Sequence, residues 1–172
     1  MDHVRICKIL GASLLSSEVC KGMVFKRETE TTRTEATNAK VAVYSCPIEL
    51  LNTETKGTVL INNAEKENAI EQRIKEIVDS GAEVVVTGGK VHELALHHLN
   101  LINILVIRVP SKFDLRRVAR VTKSNIITQM VKPSPEQIGF VNSCYLTEIG
   151  EMNCVVVNQT DEEKKKNTEF PT

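Results

Sequence analysis

Two short runs, Glu83-Val84-Val85-Val86 and Ile104-Leu105-Val106-Ile107, have no polar alternation to spare for solvent. A half-exposed strand alternates apolar and polar residues; a strand apolar on both sides must be covered on both. The chain between them supplies a cover. Gly88-Gly89 is a turn signal, and Val91 to Asn100 reads as a helix. After the second run, Pro110 introduces a further helix from Ser111 to Lys123, and the chain then heads for Met130. Strand, helix, strand, helix, strand in that order is a βαβ pattern, which predicts an α/β domain with parallel strands at its centre. With 172 residues, the chain is one ordinary domain, long enough to bury roughly two-thirds of its unfolded surface.

The flanks are less regular. Val4 to Leu10 reads as a strand, Gly11 to Ser17 as a turn-rich patch, and Gly22 to Phe25 as a second strand. Arg27 to Lys40 is rich in Thr and Glu and predicts an exposed loop. Val41 to Tyr44 predicts a compact strand ending at Cys46-Pro47, and Gly57 to Ile61 another, with a loop from Ile48 to Lys56 between them carrying exposed Leu50 and Leu51. Asn62 or Asn63 can cap a helix through Ile70, Ile74, Ile77 and Val78 that stops at Gly81. Ser143 to Ile149 and Asn153 to Val157 read as strands, and the charged end from Asp161 should fray.

The Ser111–Lys123 helix has two distinct faces. Leu115, Val118, Ala119 and Thr122 recur at helical spacing and should turn inward. Lys112, Arg116, Arg120 and Lys123 then line the opposite face with Phe113 beside them, a candidate docking strip. Ser111 can cap the first turn, with Asp114 answering it as a short capping box. The bland alternative, a solvated basic face, is the default on residue types and spacing alone, although the scarcity of aromatics makes Phe113 harder to dismiss. Aromatic residues number only six (four Phe, two Tyr), so the core must be built from Val, Ile, Leu and Ala. The same scarcity argues against base-stacking nucleic-acid modules.

Lys and Arg number 22, as do Asp and Glu, so no global field recommends nucleic acid or a membrane as partner. No apolar run reaches the length of a membrane span, and no secretory signal opens the chain. Five scattered cysteines without a CxxC spacing read as reduced thiols packed mostly as small hydrophobes. Cys46, Cys144 and Cys154 would need an adjacent base to act as nucleophiles, and none is evident. Gly88-Gly89-Lys90 fails as a phosphate loop, because Val84 and Val91 occupy the positions that need Gly and Ser or Thr. His92-Glu93-Leu94-Ala95-Leu96 lacks the second histidine of a zinc helix. His97 lies about 140° around the helix from His92, so the two cannot share a metal.

Several segments together resemble a known family. They are Val4-Arg5-Ile6-Cys7-Lys8-Ile9-Leu10-Gly11, Lys21-Gly22-Met23-Val24-Phe25, Val41-Ala42-Val43-Tyr44-Ser45-Cys46-Pro47 and Thr53-Glu54-Thr55-Lys56-Gly57. Further on come Val84 to Lys90, Leu94 to His98 and Val109 to Arg117. In this order, and over nearly the whole chain to Val157, the sequence resembles subunits of the eukaryotic cytosolic group II chaperonin (CCT, or TRiC). The combination of Lys-Gly-Met-Val-Phe, Thr-Glu-Thr-Lys-Gly and Asp-Leu-Arg-Arg resembles one subunit type of that assembly. The resemblance implies a GroEL-like chaperonin apical domain: α/β, with β-sandwich-like strands, flanking helices and a helical protrusion. The segment after Ile61 is shorter than the family pattern, which implies a shortened protrusion and leaves a lid role open.

By that resemblance, residues 1–22 are edge strands adjoining an intermediate domain, 23–157 the apical, substrate-binding domain, and 158–172 a polar, disordered tail. The family's nucleotide site belongs to an equatorial domain whose Gly-Asp-Gly-Thr-type loop has no match here. The resemblance therefore implies no catalysis and no cofactor in this segment, with ATP and Mg bound elsewhere in a full-length subunit. It further implies a cytoplasmic protein that binds unfolded clients, such as actin- and tubulin-like chains, within a hetero-oligomeric double ring. No nucleic acid or membrane is implied as a partner. Carried onto this sequence, the client-binding residues are Lys112, Phe113, Arg116, Arg120 and Lys123 on the helix. Leu50, Leu51, Asn52 and Glu54 face them from the Ser45–Lys56 loop. The alternative from another class is an assembly module that contacts partners through the same helix without preferring unfolded states.

Overall fold

The computed structural model describes residues 4–11, 13–49, 63–150 and 152–159. In chain order the elements are β1 (Gly22–Phe25), β2 (Glu35–Tyr44), α1 (Asn63–Asp79), β3 (Val84–Thr87), α2 (Glu93–Leu101), β4 (Leu105–Arg108), α3 (Lys112–Thr122), β5 (Ile126–Ile127), β6 (Gly139–Ile149) and β7 (Met152–Asn158). A single 3₁₀ turn, Leu14–Ser16, precedes β1.

The strands form one sheet in the order β1-β7-β6-β2-β3-β4, with β5 continuing β6's side of β2. β2, β3 and β4 are parallel, as the two apolar runs require. β5 is also parallel to β2, whereas β6, β7 and β1 extend the sheet as an antiparallel meander. The expected sandwich-like layering takes the form of this continuous sheet curled over α3. That helix packs against β1 near one edge as well as against β2, β5 and β6.

The strands are buried on both faces because each face has its own core. Val41, Val43, Val84, Val86, Leu105 and Ile107 point to a cluster completed by Leu115 and Val118 of α3. The alternate residues Ala42, Tyr44, Val85 and Val106 point to a second cluster with Ile70, Ile74 and Ile77 of α1 and Leu99 of α2. Ile70, Ile74 and Ile77 share a helical face because three- and four-residue steps nearly close whole turns. Gly81, at φ +77°, ends the turn after α1. A Cβ on Gly89 would overlap Pro47, so the Gly88-Gly89 turn is glycine-rich to let two backbones approach.

Three expectations are corrected. Val4–Leu10 forms no strand: Val4, Ile6 and Leu10 are exposed, and a strand without a ladder leaves its backbone groups to water. The predicted loop Arg27–Lys40 ends at Thr34, since Glu35–Lys40 belongs to β2. Its buried positions, Ala36 and Ala39, are three apart, because Asn38 adopts φ +50° between them and breaks the two-residue alternation. Ile48, read as the first residue of a loop, instead makes a parallel bridge to Val91 and is buried. The predicted strand Gly57–Ile61, Leu50 and Leu51, and the tail from Asp161 lie outside the described residues.

The remaining polar stretch serves to close the sheet. β4 is an edge strand, and unpaired edges invite foreign strands. Here the Glu30 N–H donates to the Val106 carbonyl at 2.9 Å and the Val106 N–H donates to Thr31 Oγ1 at 3.0 Å. Thr32 N–H and Arg33 Nη1 bind Asn100 Oδ1 and the Asn103 carbonyl, both at 2.9 Å. Thr31→Val should therefore destabilise the chain by about 1–3 kcal/mol, the cost of leaving a buried N–H without an acceptor, measured by urea unfolding. Gly89→Ala should also lower the melting temperature, because the added methyl meets Pro47 backbone.

Candidate functional site

The site is built on α3, and the sequence dictates how that helix sits. Ser111 caps it, its hydroxyl accepting from the Asp114 N–H at 3.4 Å. Leu115, Val118, Ala119 and Thr122 are buried, as their spacing predicts. Thr122 is reconciled with burial by donating to the Val118 carbonyl at 2.9 Å, with Ser124 Oγ also 2.9 Å away. Gly139 lets β6 begin directly beneath the helix end, where a Cβ would strike the Thr122 carbonyl. Lys123 closes the helix at φ +55°, its N–H reaching Ala119 and Arg120 carbonyls. A non-glycine residue in that conformation costs about 1–2 kcal/mol.

With one face anchored, the other is presented to solvent. Lys112, Arg116, Arg120 and Lys123 are all exposed, and at 100° per residue they fall within an arc of about 80°. Phe113 flanks that arc with 70% of its surface accessible. None of the four cations forms an ion pair with a described acidic residue. Arg117 differs, because it pairs with Asp114 at 3.0 Å. Asp114 thus does not complete the expected reciprocal capping box; its carboxylate is shared between Arg117 and Arg5.

The structure brings together all five helix residues of the expected site. Leu50, Leu51, Asn52 and Glu54 lie outside the described residues. The sequence reading missed a second border. An open depression of about 500 Å³ is lined by Arg116, Ala119, Arg120 and Lys123 together with Ser124, Asn125 and Ile126. Ala119 falls on the border between the buried and cationic arcs, so periodicity could have flagged it. Asn125 is placed by long-range contacts, its backbone N–H donating to the Gln137 carbonyl at 3.2 Å and its side-chain amide to the Glu136 carbonyl at 3.3 Å. No local pattern announces that.

The other polar motifs have structural employment. His92 caps α2, its Nδ1 accepting from the Leu94 N–H at 3.3 Å. His97 and His98 stack edge to face with centroids 5.9 Å apart. No group of three or more metal-ligating side chains occurs among the described residues, and no described helix is long and apolar enough to cross a membrane. Cys144 and Cys154 are buried, but Cys7 and Cys46 are only partly so and Cys20 is exposed. Burial pushes the thiols of Cys46, Cys144 and Cys154 up, opposite to what a nucleophile needs.

This mixed sheet, with helices on both faces, has the fold of a chaperonin segment. It superposes on 88% of this chain with a TM-score of 0.70 onto the open-state monomer of a group II chaperonin from Methanococcoides burtonii, at 22% identity and over 34% of that chain. Sequence carries the assignment further: residues 1–168 match the TCP-1/cpn60 chaperonin family, and the chain belongs to that family. It is 49% identical over 170 residues to a probable T-complex protein 1 subunit theta of Schizosaccharomyces pombe, across 94% of this chain. Against the theta subunits of Gallus gallus and Homo sapiens it is 45% identical across 95% of this chain. The chain spans about a third (31%) of the length of these curated relatives.

The raised Cys144 thiol, pushed up to about 12 by burial, has a consequence for stability. Folding favours the protonated thiol, so the folded chain keeps a proton that the unfolded chain releases above about pH 8.5. This contribution is full below that pH and is lost as pH rises toward about 12. Melting temperature should accordingly fall on the alkaline side, and Cys144→Ala, though less stable at neutral pH, should fall less steeply above about pH 9.

Proposed function

We propose that this chain is the client-binding apical part of a chaperonin subunit, holding unfolded or partly folded proteins while ATP, bound elsewhere in the full-length subunit, drives folding. The observation that carries this reading is Phe113, bare to solvent beside four cations that no described carboxylate neutralises. An ordinary solvated face has no use for that aromatic. A protein-binding face does, because the ring supplies non-directional apolar contact and the cations select acidic segments. In this reading the segment has no catalytic residue and binds no cofactor. Lys112, Phe113, Arg116, Arg120 and Lys123 form one wall of the client groove, and Leu50, Leu51, Asn52 and Glu54 form the other. The working context is a cytoplasmic hetero-oligomeric ring of related subunits, and the clients include actin- and tubulin-like chains. The T-complex subunit names of the relatives support the assembly.

Magnitudes define how such a face works. Burying a Phe or a Leu contributes about 2–3 kcal/mol at most, while association costs at least about 4 kcal/mol in lost freedom. One domain therefore binds a client weakly, in about the micromolar-to-millimolar range. Several tethered in a ring gain a factor of roughly 10²–10⁴. Weak individual contacts also let a client leave when the ring changes shape.

The test is a triple variant, Phe113→Ala with Arg116→Glu and Arg120→Glu. All three side chains are exposed, so circular dichroism and melting should be close to the parent. Binding to chemically denatured actin, followed by fluorescence anisotropy, should drop at least tenfold, and the parent's binding should weaken as salt is raised. Unchanged binding by the variant would remove α3 from the mechanism. Equal affinity of the parent for native and denatured actin would identify an assembly module instead.

A further inference from the structure

The segment Val4–Gly11, which sequence assigns to a strand, is instead a strap laid against the body at three places. Arg5 Nη1 donates to Asp114 Oδ1 in the first turn of α3. Lys26 Nζ, just past β1, donates to the Lys8 carbonyl. The Leu10 carbonyl occupies the space a side chain would take at Gly150, the turn between β6 and β7. Between these points Cys7 and Ile9 are half-buried, while Val4, Ile6, Lys8 and Leu10 are exposed. An extended chain puts alternate residues on opposite sides, so one side of the strap meets the body and the apolar Val4, Ile6 and Leu10 contribute little to holding it. Polar contacts carry a large share of its attachment.

The Arg5–Asp114 contact differs from the other two, because it crosses to the functional helix. Asp114 has only 16% of its side chain exposed and serves two cations, Arg117 from within α3 and Arg5 from the strap. A carboxylate in a helix's first turn is favoured by the helix dipole and the free N–H groups there. Removing Arg5 leaves Asp114 with Arg117 and leaves the Ser111 cap intact, so the helix survives. What disappears is the hydrogen-bonded ion pair that joins strap to helix.

We propose that Arg5 is a tether through which the strap steadies the first turn of α3, so that detaching the strap loosens the helix start where Lys112 and Phe113 sit. Its bearing on client capture rests on the proposed function; the tether itself does not. The strap and the helix presenting Phe113 then form one mechanical unit, and displacement of the strap reaches α3 directly.

The test uses the full chain with Arg5→Ala, Arg5→Lys, Asp114→Asn and the Arg5→Ala/Asp114→Asn double variant. Cleavage after Lys8 by a lysine-specific protease reads the strap. Amide hydrogen exchange at Asp114 and Leu115 reads the helix start; their N–H groups bond to Ser111 Oγ and to the Ser111 carbonyl. Arg5→Ala should speed both by up to about fivefold, the factor that a largely exposed ion pair supports, and Arg5→Lys should recover part of the protection. The double variant should be cleaved no faster than the faster single variant, because both substitutions remove the same contact. Faster cleavage with unchanged exchange at Asp114 and Leu115 would overturn the coupling. Unchanged cleavage, or additive effects in the double variant, would overturn the tether. Neither readout involves a client, so loss of the client-binding reading would leave these outcomes standing.

Discussion

The two-sided burial of β2 is the constraint on which the rest of this domain depends. Its residues Val41 and Val43 face the core under α3, and Ala42 and Tyr44 face the core under α1 and α2. Its edges bond to β3 on one side and to β6 and then β5 on the other. A strand in that position cannot move without opening two cores and three ladders. Tyr44 shows how tightly it is held: the ring is buried, its hydroxyl donates to the Val131 carbonyl at 3.2 Å, and burial raises its pKa far above that of a free phenol. The parallel strands β3 and β4 take their register from it.

From that rigid centre the fold presents one helix. Small buried residues in α3, Val118, Ala119 and Thr122, together with Gly139 opposite, allow close seating. Anchoring supplied from beneath frees the outer residues from any structural duty, so an exposed aromatic and unneutralised cations are tolerated there. Dense packing also makes the presentation stiff, since close-packed interiors yield little to small forces. The periphery is different. The Val4–Gly11 strap is fastened by polar contacts at the surface, which water can replace, whereas the Glu30–Arg33 clip is pinned through the buried Thr31–Val106 hydrogen bond. The domain thus combines a fixed centre with a strap that is more loosely fastened at its edge.

How much was legible depended on whether the residues responsible were near one another in sequence. The buried face of α3 could be read completely, because Leu115, Val118, Ala119 and Thr122 encode it within one helix. The helix α1 and the strands β1, β3, β4, β6 and β7 were likewise visible in local periodicity, within a few residues at their ends. The extension of β2 back to Glu35 was hidden by Asn38, whose left-handed conformation shifts the buried positions from two apart to three. Thr31 looked like one more loop threonine until the edge of β4 gave it an N–H to accept from. Asp114 looked like half of a capping box until Arg5, distant in sequence, claimed it.

By itself, the sequence determined the class of fold, the family resemblance and the outward strip of α3, because each is written in residue types and spacing over a few turns. The tertiary structure alone decided that the strip borders an open depression lined also by Ser124, Asn125 and Ile126, that a polar loop seals the sheet, and that an apparent strand is a strap fastened to α3. The physical reason is the same in each case. Hydrogen bonds and ion pairs between distant segments depend on where the backbone brings their partners, and only the packed cores fix those positions.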